Sequence, residues 1–207
     1  MPRIAIEIEP PYNTELFFWN ITESAEELSG LIPDGCELLD EARCRFKSGR
    51  RRREWLATRA LLQSTPYSSC RIIYNSKGAP SLDRKGKHIS ISHTGELVAI
   101  AVSNAPVGLD IESGERNATK VTRLFLRERE IEQAGDDNNE ALRLWTVKEA
   151  AFKLASENVS VLKEIETTFT SEENGKYTYN IKYPDGKNAI CRTYMTGGLF
   201  ISVSSLT

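Results

Sequence analysis

The stretch that most constrains this chain runs from Ser90 to Glu112, SISHTGELVAIAVSNAPVGLDIE. It reads as two strands joined by a short turn. In its last part Val107, Leu109 and Ile111 alternate with Gly108, Asp110 and Glu112. Residues two apart on a strand share a face, so one face is wholly apolar and the other carries two adjacent carboxylates. Like charges that close repel unless a cation lies between them. The pair therefore points to a hard metal such as magnesium, which prefers oxygen ligands and binds alongside phosphates. A solvated strand face bearing acids would give the same pattern, so the rest of the chain has to decide.

At 207 residues the chain is one large domain or two small ones, with enough length for a real core. Its net charge of -2 gives no global attraction to nucleic acid or to an anionic membrane. The start, MPRIAIEIEP, has no basic segment followed by an apolar run, and no apolar stretch reaches the roughly 20 residues of a membrane helix. Cys36, Cys44, Cys70 and Cys191 lie far apart, without a CxxC pair that would suggest zinc or redox chemistry. The expectation is a cytoplasmic protein with free thiols.

Ile4, Ile6 and Ile8 alternate with Arg3, Ala5 and Glu7 as an amphipathic strand, and ELFFWNI has the content of a second. Ser24 and Glu27 have capping-box spacing, with Gly30 as a stop. From Glu37 to Gln63 the pattern is helical, with a break expected near Ser48-Gly49. This segment gathers Arg43, Arg45, Lys47, Arg50, Arg51, Arg52, Arg53 and Arg59. In an acidic chain that marks either an anion site, a basic docking face or a solvated helix surface. No aromatics interleave as a nucleic-acid stacking platform would need. RIIY and HISIS read as strands around the turn-rich NSKGAPSLDRKGK, with His93 at a strand end.

Helices follow through ATKVTRLFL, REREIEQAG and EALRLWTVKEAAFKLAS. In the last, Leu144, Val147, Ala151 and Leu154 form the apolar stripe, while Trp145, Glu149 and Lys153 share a neighbouring face with Lys148 at its edge. The remainder is a run of strands divided by the turns ENGK, PDGK and TGG, a sheet backing that helix. The expected fold is α+β, with two similar lobes, 1–104 and 105–207, each a small antiparallel sheet packed on helices and the two related by a pseudo-twofold. Asp110 and Glu112 could hold a metal, with Glu149 completing a three-carboxylate site.

At these residues the chain resembles the 4'-phosphopantetheinyl transferases, of the monomeric two-lobed type that activates surfactin synthetase. VGLDIE matches the family's G-x-D-x-E and LWTVKEAAFK its W-x-x-K-E-x-x-x-K, in order and at fitting spacing. Ser92-His93-Thr94 looks like the family's S-H-S block, and RRREWLATRALL and YNSKGAPSL resemble its arginine-bearing helix and G-K-P turn. The resemblance covers most of residues 50–155.

The resemblance implies transfer of phosphopantetheine from coenzyme A to a serine of an apo acyl or peptidyl carrier protein, releasing adenosine 3',5'-bisphosphate. It makes Asp110, Glu112 and Glu149 ligands of Mg2+, and Lys148 and Lys153 partners of the phosphate oxygens. It assigns the ribose 3'-phosphate to His93, with Ser92 and Thr94 beside it and an arginine of the Arg51–Arg53 run, Arg52 or Arg53, helping. Lys77 would reach the adenine and Glu149 would receive the serine proton. Nucleic acid and membrane are not expected partners. The turn reads KGAP rather than G-K-P, and LASENVSVLKEI lacks the glycine and lysine this type often shows. A metal-dependent nuclease would need E-x-K on a strand, whereas here KE sits on a helix. A non-catalytic module that binds coenzyme A or a carrier protein is the other reading.

Overall fold

The alternation of apolar residues resolves into two antiparallel sheets lying face to face, each covered by helices on its outer side. The computed structural model describes residues 3, 4, 6, 8, 10, 13–155 and 159–207, with Arg3 and Ile4 by backbone alone. The first half contains β1 (Arg3–Ile4), β2 (Thr14–Asn20), α1 (Ala25–Ser29), α2 (Gly35–Arg45), α3 (Gly49–Gln63), β3 (Ile72–Tyr74), β4 (Pro80–Leu82), β5 (His88–Thr94) and β6 (Leu97–Ser103). The second contains β7 (Val107–Ser113), α4 (Thr122–Phe125), α5 (Glu128–Ala134), α6 (Asn138–Leu154), β8 (Glu166–Glu173), β9 (Lys176–Lys182), β10 (Asn188–Thr196) and β11 (Leu199–Leu206). One sheet has the order β1-β2-β6-β5 and the other β7-β11-β10-β9-β8, so the protein is a mixed α+β fold of two sheet-bearing lobes.

Period-two patterning explains the layers. On β2 and β6, Phe17, Trp19, Val98, Ile100 and Val102 face α1 to α3, while Phe18, Leu97, Ala99 and Ala101 face the other sheet. From that other sheet Val107, Leu109, Ile111, Ile201 and Val203 meet them in a shared central core. β6 is buried along its whole length, as a strand covered on both faces must be.

Local signals set the helix ends. Ser24 and Glu27 form the capping box, and Ser48 caps α3, which splits the long helical run where the break was expected. Asn174 and Gly175, both at positive φ, make the tight turn between β8 and β9. The first strand is observed only at Arg3 and Ile4, paired with Trp19 and Phe18; Ala5 and Glu7 lie outside the described residues. The stretch 90–112 takes in three strands, not two: the end of β5, all of β6 and most of β7. The connector expected to be all turn also contains β4, hairpinned to β3.

Gly108 positions the site. A side chain there would collide with the carbonyl of Ala150 and lie 2.9 Å from the Leu154 amide, so only glycine lets α6 rest directly on β7. The face of β7 bearing Asp110 and Glu112 is thereby pressed against the helix bearing Glu149 and Lys153.

Candidate active site

The two lobes meet along a seam of hydroxyl groups. The hydroxyl of Ser90 accepts from the Leu109 amide at 2.9 Å, that of Ser92 from Ile111 at 3.2 Å and that of Thr94 from Ser113 at 3.2 Å. β5 thus runs beside β7 in the same direction, and side-chain oxygens do the work of a missing backbone ladder. Ser92 Oγ also donates to Asp110 Oδ1 at 2.8 Å, and Thr94 Oγ1 donates to Glu112 Oε2 at 3.1 Å.

From the other side, Lys153 Nζ lies 2.8 Å from Asp110 Oδ1 and donates to the Leu109 carbonyl at 3.0 Å. Trp145 Nε1 donates to Glu112 Oε1 at 3.2 Å, and Arg116 pairs with the same oxygen. Asp110 and Glu112 are buried, and Glu149 is partly so. Burial, and then the neighbouring Asp110 charge, push the carboxyls of both Glu112 and Glu149 above their ordinary value. A divalent cation would relieve that repulsion. Among the described residues no three acidic, imidazole or thiol groups already form a metal cage; Lys153 and Arg116 lie against the acids instead. The donor set nevertheless fits a hard cation, because Asp110 Oδ2 is buried without any hydrogen-bond partner.

Beside the acids a cleft of about 680 Å³ opens, lined among others by Arg51, Trp55, Lys77, Lys87, His93 and Lys153. The acids do not line it; Lys153 joins the two regions. Within the cleft Arg51 Nη1 is 2.6 Å from His93 Nε2. Arginine can only donate, so His93 Nε2 accepts in this contact. Burial first, then the Arg51 and Lys153 charges acting against Glu54, hold its pKa below the ordinary value. Glu54, only 4% exposed, receives Arg50 at 2.8 Å and Arg51 at 3.1 Å and lies 3.7 Å from His93. Burial raises its carboxyl, but Arg50, His93 and Arg51 together outweigh this and leave it below its ordinary value.

The structure brings Asp110, Glu112, Glu149 and Lys153 together, and sets His93 and Lys77 on the adjoining cleft. It does not bring Lys148 to the acids. Its Nζ is fully buried, 2.6 Å from Glu130 and 2.8 Å from the Ile165 carbonyl. Residues adjacent in sequence lie about 100° apart around a helix, so Lys148 cannot share the face of Glu149. Arg52 bonds the Phe46 carbonyl at 2.8 Å and Arg53 pairs with Glu96 at 3.1 Å, so the arginine that reaches His93 is Arg51. Ser92 and Thr94 turn their hydroxyls to the acids rather than to the cleft. Sequence reasoning missed Glu54; its signal was the spacing Arg51, Glu54, Thr58 along one face of α3.

The fold and site thus define a two-lobed α+β protein with paired carboxylates joined by a lysine to a neighbouring basic cleft. Residues 106–194, from the start of β7 into β10, match the model of the 4'-phosphopantetheinyl transferase superfamily. The chain is also 37% identical over 84 residues to the 4'-phosphopantetheinyl transferase gsp of Aneurinibacillus migulanus. That match covers 38% of this chain and spans 35% of the relative's length. The family match takes in VGLDIE and LWTVKEAAFK, on the lobe that carries the acids, Trp145, Glu149 and Lys153, and begins after the Ser92-His93-Thr94 block. No helix among the described residues is long and apolar enough to cross a membrane.

Proposed function

We propose that this chain is a 4'-phosphopantetheinyl transferase that moves phosphopantetheine from coenzyme A to a serine of an apo carrier protein. The observation that carries the reading is Asp110 Oδ2, buried and unpartnered, on an acid joined through Lys153 to a cleft also lined by Arg51 and His93. Asp110, Glu112 and Glu149 would hold Mg2+, which when bound would supply positive charge to the pyrophosphate oxygens. Arg51 and His93 receive the phosphate on the ribose, with Lys77 near the base. The carrier's serine oxygen forms a bond to the phosphorus that bears pantetheine, and the bond from that phosphorus to adenosine 3',5'-bisphosphate breaks. Glu149 takes the serine proton, and Lys153, moving from Asp110, meets the charge on the departing phosphate. This is positioning and charge stabilisation, which dominate phosphoryl transfer.

The protein acts as a cytoplasmic monomer on an acyl or peptidyl carrier, without nucleic acid or membrane. Lys153 already seated on Asp110 Oδ1 favours a second reading, a module of this fold that binds coenzyme A without turning it over. Chromatographic detection of adenosine 3',5'-bisphosphate from coenzyme A and apo carriers separates the two. Product that appears only with a carrier supports the transferase, and coenzyme A binding without product supports the module.

A further inference from the structure

Three hydroxyls on β5 occupy alternate positions, and only two of them touch an acid. Ser90, Ser92 and Thr94 each accept one amide of β7, from Leu109, Ile111 and Ser113. Ser92 and Thr94 then donate hydrogen bonds to Asp110 Oδ1 and Glu112 Oε2. Each hydroxyl is held by an amide on one side, so its hydrogen is aimed at the carboxylate and the carboxylate's rotation is fixed. For Asp110 the consequence is specific. Ser92 and Lys153 share Oδ1, at 2.8 Å each, and Oδ2 is left bare and buried.

From this geometry we infer that Ser92 and Thr94 are positioning residues, reaching across from the first lobe to orient the carboxylates of the second for metal binding. They occupy the places where the sequence suggested contacts to coenzyme A. The inference rests on the metal-site reading proposed above. It assigns the first lobe a share in building the acidic site, since the acids' orientation depends on a strand of the other sheet. His93 lies between the two hydroxyls in sequence, so the same strand serves the cleft and the acids.

Ser90 supplies the internal control, because it makes the same amide bond without an acid contact. Mn2+ is the probe, titrated without coenzyme A because Ser90 lines the cleft, and read as loss of the free-ion electron paramagnetic resonance signal. Ser92→Ala is expected to weaken Mn2+ binding roughly tenfold or more, the usual effect of removing a group that orients a metal ligand. Ser92→Thr, which keeps the hydroxyl, restores binding, and Ser90→Ala leaves it unchanged even where its melting temperature falls as far. Equal Mn2+ affinity in Ser92→Ala and native protein would overturn the positioning role, as would equal weakening in Ser90→Ala and Ser92→Ala. Failure of the native protein to bind Mn2+ would overturn the metal-site reading itself, and this inference with it.

Discussion

Lys153 Nζ and Asp110 Oδ1 lie 2.8 Å apart and tie the C-terminal turn of α6 to the acid-bearing strand β7. The lysine side chain is 28% exposed and the aspartate side chain 8%, so the pair joins a buried acid to a lysine that lines the cleft. A lysine so placed can leave for a phosphate oxygen without dragging its partner into solvent. Lys153→Met is expected to lower transfer at least roughly a hundredfold, the scale seen on losing one preorganised donor to a developing charge. Mn2+ affinity should hold or increase, since a competing cation is gone. Steady-state kinetics alongside Mn2+ titration checks this, and full activity in the variant contradicts it.

Glu54 should matter through the residues it holds in place. Its carboxylate holds Arg50 and Arg51 at hydrogen-bond distance and faces His93. Glu54→Gln keeps the volume but removes the charge that aligns the arginines. KM for coenzyme A should rise about tenfold, equivalent to ~1.4 kcal/mol, within the range of one charged hydrogen bond, with little change in kcat. A fall in kcat with unchanged KM would place Glu54 elsewhere in the mechanism.

Lys148 has a structural part. Glu130 accepts from Lys148, from the Arg127 amide at 2.8 Å, and from the Thr167 amide and hydroxyl at 3.1 and 2.7 Å. Burial lowers the lysine's pKa against the pull of Glu130. Lys148→Met leaves that carboxylate uncompensated and should cost about 3–5 kcal/mol in denaturant unfolding. Adding Glu130→Leu should recover much of the loss. A variant as stable as the native chain but inactive would return Lys148 to the phosphates.

Without metal, the acids penalise the fold at neutral pH. The carboxyls of Glu112 and Glu149 have folded pKa values above the ordinary 4.5. The folded state therefore binds these protons more tightly than the unfolded one. The resulting stability is full below about 4.5 and is lost as pH rises through the raised values. Glu149→Gln should then melt above the native chain at pH 7 in chelator, by about 2–4 °C if the relief is near 1 kcal/mol. The difference should vanish below about pH 4.5. A lower melting temperature at pH 7 contradicts this sign.

Gly108→Ala tests the contact that brings strand and helix together. The new methyl meets the Ala150 carbonyl, which belongs to helix backbone and cannot rotate away. A loss of about 1–3 kcal/mol is expected, together with weakened Mn2+ binding as α6 is lifted from β7. Unchanged Mn2+ affinity would mean that the acids do not need this approach.

Much of this was legible because it follows from period. The alternation of Val107, Leu109 and Ile111 with Gly108, Asp110 and Glu112 set both the apolar face and the acidic one, and spacing of four placed Glu149 and Lys153 together on α6. That Lys148 lies apart from the acids is something periodicity could have caught. It lies four residues after Leu144 and three before Ala151, on the apolar stripe, where a lysine is buried only with a partner. That partner, Glu130, comes from another helix, and no local pattern announces it. The choice of Arg51 among neighbouring arginines likewise depends on how α3 is rotated against β5. The hydroxyl seam was hidden because Ser90, Ser92 and Thr94 read as ordinary strand residues until β7 lies beside them.

The most direct test of the central claim is intact-mass spectrometry of apo carrier proteins incubated with this chain, coenzyme A and Mg2+, with and without chelator, beside an Asp110→Ala variant that keeps its fold. The account predicts a gain of one phosphopantetheine on at least one carrier, lost with chelator and absent with the variant. Modification that persists in the Asp110→Ala variant or in chelator would contradict the acidic site, and no modification of any carrier would contradict the transferase.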